Sequence, residues 1–241
     1  WTFDDAVAHQ LGINPYDHRY FLNQFFTGRF EGSYADGVPF AENPSNGDCR
    51  VCGSLASLCG LEGALQANDQ QAIDTAMRRI MLVHGVIMSI GGIPLLYSGD
   101  EMGLLNDYSY RDDPAKAHDD RWVNRIAVTS ALISDIEAPP ATTDSLERKT
   151  QKAIFAGLKQ LINLRKEHAV FGRARTHILQ TFNQHCFVYC RVADEGQKLL
   201  VLCNFSEHPQ TLQSNVLEVF AGKPATDLLS NNSIDRSSDI H

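Results

Sequence analysis

The clearest helical pattern in the sequence lies between residues 68 and 88. Apolar residues recur there at steps of three and four, the spacing of one face of an α-helix. They are Ile73, Met77, Ile80 and Ile87, with His84 on the same face. Asn68 followed by Gln71 imitates a capping box, and Gly91-Gly92 is expected to end the helix. Because His84 lies on the apolar face, we interpret it as a histidine of the core.

The glycines are followed by a short apolar run, IPLLYS at 93–98, which predicts a strand buried on both faces. Helix, glycine break and buried strand in this order are typical of an α/β unit. A second amphipathic helix is predicted at 150–167. Its apolar face would carry Ile154, Leu158, Leu161 and Ile162.

Beyond Gly172 the pattern changes to short β-rich runs, at 175–182, 186–193 and 198–205. Asn183-Gln184 separates the first two runs, and Glu195-Gly196 separates the last two. The end of the chain is therefore predicted to form a small antiparallel β domain.

Two long segments, residues 1–65 and 100–148, are polar and lack sustained periodicity. We predict loops and short helices in the first, including a short helix within 18–30. A loop as long as the second is usually functional or disordered. Its Asp, Arg and Trp content favours a functional role for its first half.

Composition and charge narrow the class of partner. The chain has 241 residues, is 43% hydrophobic and carries a formal net charge of −8, which indicates a globular protein. No basic stripe is present, so we expect no nucleic-acid partner. The longest apolar stretch is interrupted by His84, Gly91-Gly92 and Pro94, so we expect no membrane span. No signal peptide is visible, although the start looks internal, so secretion stays open.

Cysteine spacing is the first candidate for metal chemistry. Cys49 and Cys52 form a C-x-x-C pair, but a zinc site needs a second pair or histidines at matching spacing, and none follows. We expect reduced, mostly buried thiols, which favours the cytoplasm. No phosphate loop, dinucleotide fingerprint or G-x-S-x-G elbow is present. We therefore predict no metal and no cofactor.

Three arginines in loop-like stretches each stand near an acidic residue. The pairs are Arg19 with Asp17, Arg50 with Asp48, and Arg121 with Asp120. A guanidinium fixed by a carboxylate presents a planar fork of donors, and sugar hydroxyls are acceptors for such a fork. The alternative is ordinary surface ion pairing, which is worth about 0–1 kcal/mol.

The acids Asp100 and Glu101 directly follow the predicted strand. In a parallel α/β barrel, this position lies on the active face. A catalytic acid/base pair is one hypothesis. A structural network is the other, because neighbouring side chains on an extended chain point apart.

Four ordered stretches resemble amylosucrases and sucrose hydrolases, a branch of the α-amylase superfamily. They extend over nearly the whole chain. The first two are WTFDDAVAHQLGINPYDHRYFLNQFF and GRFEGSYADGVPFAENPSNGDCRVCGS, and the others are GGIPLLYSGDEMGLLNDYSYRDDPAKAHDDRW and LLVLCNFSEHPQTL.

The resemblance implies a fold class of α/β plus all-β. Residues 1–66 would be a B′-type excursion after the seventh strand of a (β/α)8 barrel. Residues 67–172 would be the last part of that barrel, with helix seven, strand eight, the pocket loop and helix eight. Residues 173–241 would form an incomplete antiparallel β-sandwich domain.

The same resemblance implies a retaining glucosyl transfer from sucrose, with an Asp nucleophile and a Glu acid/base. These two groups and the transition-state Asp are expected upstream of Trp1, so no catalytic residue is assigned here, and the chain alone is expected to be inactive. Arg19 and Arg50 would line the outer sugar subsites, and Arg121 would clamp the glucosyl group.

The expected partners are sucrose and an α-glucan or oligosaccharide. Ala41 stands where amylosucrases carry a polar residue near the acceptor path, which favours transfer to water. Two alternatives stay open: a non-catalytic carbohydrate-binding module, and a fragment of an α-glucosidase that acts on maltosides.

Overall fold

The computed structural model describes residues 1–234 and residue 240, and these residues form helices with two small antiparallel sheets. The helices are α1 (Asp5–Gln10), α2 (Pro15–Phe26), α3 (Leu55–Leu58), α4 (Leu61–Gln66), α5 (Gln70–Ser89), α6 (Ser130–Glu137) and α7 (Leu146–Glu167). The strands are β1 (Val38–Phe40), β2 (Arg50–Cys52), β3 (Arg175–Leu179), β4 (Cys186–Val192) and β5 (Lys198–Asn204).

The chain divides into two compact units. The first comprises Trp1–Ile80 and Leu96–Ala156, and the second comprises Met81–Leu95 and the residues from Gly157 onward. Helices α5 and α7 each contribute their first part to the first unit and their last part to the second.

Helix α5 confirms the predicted helix over 68–88, but its N-terminal cap differs from the expected one. The Asp69 carboxylate accepts a hydrogen bond from the backbone N–H of Ala72 at 3.1 Å. Asn68 instead adopts a left-handed φ of 51° in the turn that ends α4. The predicted N-terminal cap is therefore one residue too early, because Asn68 belongs to the turn that ends α4.

The core of the first unit is built from the helical faces that the sequence predicts. Ile73 and Ile80 of α5 and Ile154 of α7 are fully buried and pack with Leu61 of α4. The predicted second helix is confirmed as α7, which begins four residues earlier than expected. Burial of each of these side chains contributes about 1.5–3 kcal/mol.

The segment 93–98 does not form the predicted buried strand. Ile93 is 87% exposed, Leu95 is 82% exposed, and the residues carry no strand assignment. A strand needs a neighbour for its backbone groups, and none of the described residues pairs with this segment. Pro94 also lacks an N–H to donate. The apolar run is thus correctly located, but its secondary structure was wrongly predicted.

The polar segment 100–148 contains more regular structure than its sequence indicated. Short 3-10 helices occupy Asp100–Met102, Tyr108–Asp112 and Asp120–Asn124, and α6 follows at Ser130–Glu137. Ile136 of α6 packs with Met102 and Leu104, which explains why a segment with little periodicity folds. The loop prediction missed α6, since tertiary packing on a few apolar residues outweighs local pattern.

Strands β3, β4 and β5 confirm the predicted antiparallel β-rich region. Arg175 pairs with Val192, and Cys186 pairs with Asn204. Val188 and Tyr189 of the central strand are buried. All strand pairs in the part of the chain that the structure describes are antiparallel. The barrel and the sandwich therefore stay predictions.

In the second unit, two arginines bind the carbonyls at the end of α5. Arg191 donates to the Ile90 carbonyl at 2.8 Å and to the Phe171 carbonyl at 3.1 Å. Arg165 donates to the Gly92 carbonyl at 2.7 Å. The last carbonyls of a helix lack intrahelical partners and carry partial negative charge, so guanidinium groups stabilise this end. Burial lowers the pKa of Arg191, with Arg165 adding to the effect.

His84 of α5 is 1% exposed, as predicted for a core histidine. Among the described helices, none has the length and apolarity needed to cross a bilayer.

The glycine pair after α5 offers a matched stability test. Gly91 has a φ of +113°, and a Cβ there would lie 2.4 Å from Nη1 of Arg191. Gly92 has a φ of +73° and open space around it. Because Arg191 is buried and cannot move without losing its acceptors, Gly91→Ala should cost roughly 2 kcal/mol or more. Gly92→Ala should cost only the backbone strain, about 1 kcal/mol. Urea unfolding of both variants measures the difference, and equal losses would contradict the role assigned to Arg191.

Candidate functional site

The candidate site is built on a β-hairpin packed against two 3-10 turns. Val38 of β1 is buried with Tyr110 and Val123 from the turns at Tyr108–Asp112 and Asp120–Asn124. Trp122 and Cys52 pack around this cluster. The apolar contact fixes the hairpin relative to the turn that carries Arg121.

Arg50 and Arg121 both lie next to Phe40. Arg50 is the antiparallel partner of Phe40, so their side chains project from the same face of the hairpin. The Arg121 guanidinium lies over the Phe40 ring, 4.9 Å from its centroid. The structure therefore brings two of the three predicted sugar-binding residues to one aromatic side chain. Arg50 is exposed, and its side chain forms no hydrogen bond or ion pair with the described residues.

Asp119 holds Arg121 in place. One carboxylate oxygen of Asp119 accepts from the Arg121 backbone N–H at 3.0 Å and from Nε at 2.8 Å. The other oxygen accepts from Nη2 at 2.9 Å. The hydrogen bonds from Arg121 lower the Asp119 pKa to about 2. The same contact raises the pKa of Arg121.

Two guanidinium groups lie beside the Asp119 carboxylate. Arg125 lies 3.8 Å from the Asp119 carboxylate and stacks on Trp122 at 4.9 Å. Asp119 thus serves two guanidinium groups, while Arg50 has no acidic partner.

Arg19, the third predicted residue, lies in a different contact group. Its Nε donates to the Trp1 carbonyl at 3.0 Å, and its guanidinium pairs with Asp5 and lies 4.4 Å from the Phe3 ring centroid. No contact among the described residues joins Arg19 to Arg50 or Arg121. Arg19 belongs to α2, and its side chain contacts Trp1, Phe3 and Asp5 near the start of the sequence.

The predicted acidic partners of the arginines were wrong in all three cases. Arg19 pairs with Asp5 and Arg121 with Asp119, while Arg50 has no acid. Residues two apart on a helix face different directions, so Asp17 cannot reach Arg19. The other two predicted acids have different donors: Asp48 accepts from Asn23 Nδ2 at 3.2 Å, and Asp120 accepts from the Tyr110 hydroxyl at 2.7 Å.

A buried polar network centred on Asn106 supports the hairpin. Its amide nitrogen donates to the Asp36 carbonyl at 2.6 Å, and its amide oxygen accepts from the Ser54 N–H at 2.9 Å. Its backbone N–H donates to the Ser57 hydroxyl, which in turn donates to Glu62. Burial raises the pKa of Glu62. One side chain therefore connects both ends of the hairpin to the loop that follows residue 99.

The two adjacent acids after the apolar run are structural. The Asp100 carboxylate accepts from the Leu55 N–H at 3.0 Å, and Glu101 accepts from the Gly99 N–H at 2.7 Å. The two carboxylates thus bond to different backbone groups, which favours the structural network over the acid/base pair. Burial raises the pKa of Asp100.

Metal-binding side chains do not cluster within residues 1–234 and 240: no three His, Cys, Asp or Glu side chains are placed to hold an ion. Cys49 and Cys52 are both free thiols, and burial raises the pKa of each.

Sequence reasoning missed Phe40, Asp119 and Arg125. For Asp119 a signal was available, because an Asp before a tight turn often accepts from the backbone N–H two residues later. That geometry also places the carboxylate beside the Arg121 side chain. No local signal marks Phe40, whose role depends on pairing across the hairpin.

Over part of its length the chain is similar to two sugar-processing enzymes. It is 26% identical over 168 residues to a trehalose synthase from Thermus thermophilus, covering 64% of this chain and 17% of that protein. It is 27% identical over 132 residues to a glucosylglycerate phosphorylase from Escherichia coli K12, covering 55% and 22%. The chain thus spans no more than 22% of either relative.

No family model matches the chain. The predicted kinship with carbohydrate-active enzymes is confirmed as a weak homology. Neither of the two relatives is an amylosucrase, so that branch stays a prediction.

The titration of Asp119 tests the site geometry. Replacing Arg121 by Ala should raise the Asp119 pKa from about 2 towards its ordinary 3.8, because the strongest hydrogen bonds to the carboxylate are lost. Arg125→Ala should raise it less. Carbon-detected NMR titration of the carboxyl group measures both.

Because the pKa of Asp119 is lowered in the folded state, its ion pair with Arg121 stabilises the fold when the carboxylate is ionised. The contribution of the pair is fully present above about pH 4 and is lost as pH falls towards 2. An Asp119 pKa that does not change when Arg121 is removed would contradict the geometry.

Proposed function

We propose that this chain is part of an enzyme that cleaves sucrose and transfers the glucosyl group to an α-glucan or to water. In this proposal Arg50 and Arg121 bind the sugar at Phe40, and Arg19 binds an outer part of the same substrate. The weak homology to a trehalose synthase and a glucosylglycerate phosphorylase supports a sugar substrate. The sucrose assignment comes from the resemblance of the four long sequence stretches.

The observation that carries the proposal is the placement of Arg50 and Arg121 next to one aromatic ring. Arg121 is held by Asp119 and keeps a side chain that is 52% exposed. A guanidinium fixed in this way offers donors in a defined plane, and sugar hydroxyls accept them. The Phe40 ring adds an apolar surface for the C–H groups of a pyranose.

The proposed fold places these residues at the rim of a barrel. Residues 1–66 would form the B′-type excursion, 67–172 the end of a (β/α)8 barrel, and 173–241 a β-sandwich domain. In such a barrel, neighbouring strands would cover the exposed Ile93 and Leu95. Sugar-binding loops would then lie at the carboxyl ends of the strands.

The reaction itself needs two carboxylates, one as nucleophile and one as acid/base. We assign neither within this chain. Asp100 and Glu101 already accept backbone hydrogen bonds. The acids near the arginines accept hydrogen bonds from a guanidinium group or from a tyrosine hydroxyl. The part proposed for this chain is therefore substrate binding.

A second candidate is transfer of the glucosyl group to phosphate. The relative from Escherichia coli is by name a phosphorylase. Arg50 forms no ion pair with the described residues, and Arg121 and Arg125 share Asp119, so guanidinium donors are available at the proposed site. Arginine forks match phosphate oxygens.

Product analysis with the whole protein that carries this chain distinguishes these candidates. With sucrose we expect release of fructose, with glucose free or added to a glucan. Phosphate should yield glucose 1-phosphate only if the second candidate holds. Maltose should be a poor substrate, and preference for maltose would instead support an α-glucosidase.

Arg50→Ala and Arg121→Ala test the binding role. Each removes charge-assisted hydrogen bonds worth about 1.5–3 kcal/mol, so KM should rise roughly tenfold or more. Arg175→Ala is the control, because Arg175 is an exposed arginine of β3 in the second unit. Unchanged KM in both site variants would overturn the site, and absence of turnover on every sugar would favour a binding module.

A further inference from the structure

The loop between β3 and β4 presents an aromatic ring to solvent. Phe182 is 92% exposed and has a left-handed φ of 54°. This backbone conformation is rare for a bulky residue and is unfavourable unless the surroundings impose it. The neighbouring groups do so: Asn183 N–H donates to the Thr181 hydroxyl at 3.3 Å, and His185 N–H donates to the Asn183 side-chain oxygen at 3.0 Å. The loop therefore holds the ring outward.

The ring borders a groove in the second unit. The described residues that line it are Thr181, Phe182, Asn183, Gln184, Thr211 and Gln213. None of these six side chains is charged. Their amides and hydroxyls supply both donors and acceptors. The described lining is therefore complementary to an uncharged ligand that carries many hydroxyl groups.

Asn183 ties the two sides of the groove together. Its amide nitrogen donates to the Gln210 side-chain oxygen at 3.1 Å and to the Thr211 carbonyl at 3.4 Å. These hydrogen bonds connect the loop after β3 to the segment after β5. A groove that is already fixed loses less conformational entropy when a ligand binds.

We infer that this groove, which we call the Phe182 groove, binds a neutral oligosaccharide. The C–H faces of pyranose rings carry partial positive charge and stack on the negative face of an aromatic ring. The hydroxyl groups of the sugar bond to the surrounding amides, as in sites that combine an apolar surface with a few polar groups. A protein partner would require further apolar side chains beside the ring, and the other described lining residues are polar. The inference uses only residues of the second unit and does not depend on the candidate site.

The test is a titration of the full chain with maltoheptaose, followed by NMR of side-chain amides. The experiment is done in the Arg50→Ala, Arg121→Ala background, which removes binding at the candidate site. The resonances of Asn183, Gln184 and Gln213 should shift as ligand is added. Phe182→Asn should lower the affinity about tenfold, as truncation of an aromatic anchor does. Asn tolerates the left-handed backbone, so this variant keeps the loop conformation.

Two further variants test whether ligand binding depends on the aromatic ring at residue 182 itself and not on a general effect of mutation. Phe182→Trp should bind as well as the parent, because it keeps an aromatic surface. Phe205→Ala should also bind as well, since Phe205 is an aromatic residue that is 59% exposed and does not line the groove. Three results would overturn the inference: no amide shifts at millimolar maltoheptaose, equal affinity for the parent and Phe182→Asn, or an equal loss in Phe205→Ala.

Discussion

The Asp119 carboxylate is the contact on which the candidate site depends. It accepts both the backbone N–H of the Asp120–Asn124 turn and the guanidinium of Arg121. One group therefore determines the fold of the turn and the orientation of the side chain that the turn carries. Val123 of the same turn is buried against Val38 of the hairpin, so the position of Phe40 follows. Asn106 supports the hairpin through hydrogen bonds to the backbone at both of its ends.

Arginines are used in two different ways in this chain. In the second unit, Arg191 is buried and donates through Nη1 and Nη2 to the carbonyls of Ile90 and Phe171, which makes it a structural residue. In the first unit, Arg50 is exposed without a partner, and Arg121 keeps half of its side chain accessible. Unsatisfied donors on a supported surface are available to a ligand, whereas satisfied ones are not. This difference is why sugar binding is proposed for Arg50 and Arg121.

Periodicity predicted the parts of the fold that local sequence controls. Helices α5 and α7 follow a pattern of period 3.6 and bury its apolar face, and the β3–β5 sheet follows the three short β-rich runs between turn residues. The three-residue strands of the hairpin and helix α6 were missed, because they are stabilised by contacts with distant residues. The strand at 93–98 failed for the converse reason: its apolar composition is correct, but pairing requires neighbours. The same limit applies to the site, where Arg50 and Arg121 were found but their acidic partners were not.

In the proposed function Arg50 and Arg121 act on one ligand at Phe40, and a double-mutant cycle tests this joint action most directly. Sucrose affinity would be measured for the whole protein, for each alanine variant and for the double variant. Residues that bind one ligand together are coupled, so the two effects should differ from additivity by about 0.5–3 kcal/mol. Strictly additive effects would show that the two guanidinium groups act independently and would contradict a shared sugar-binding site at Phe40.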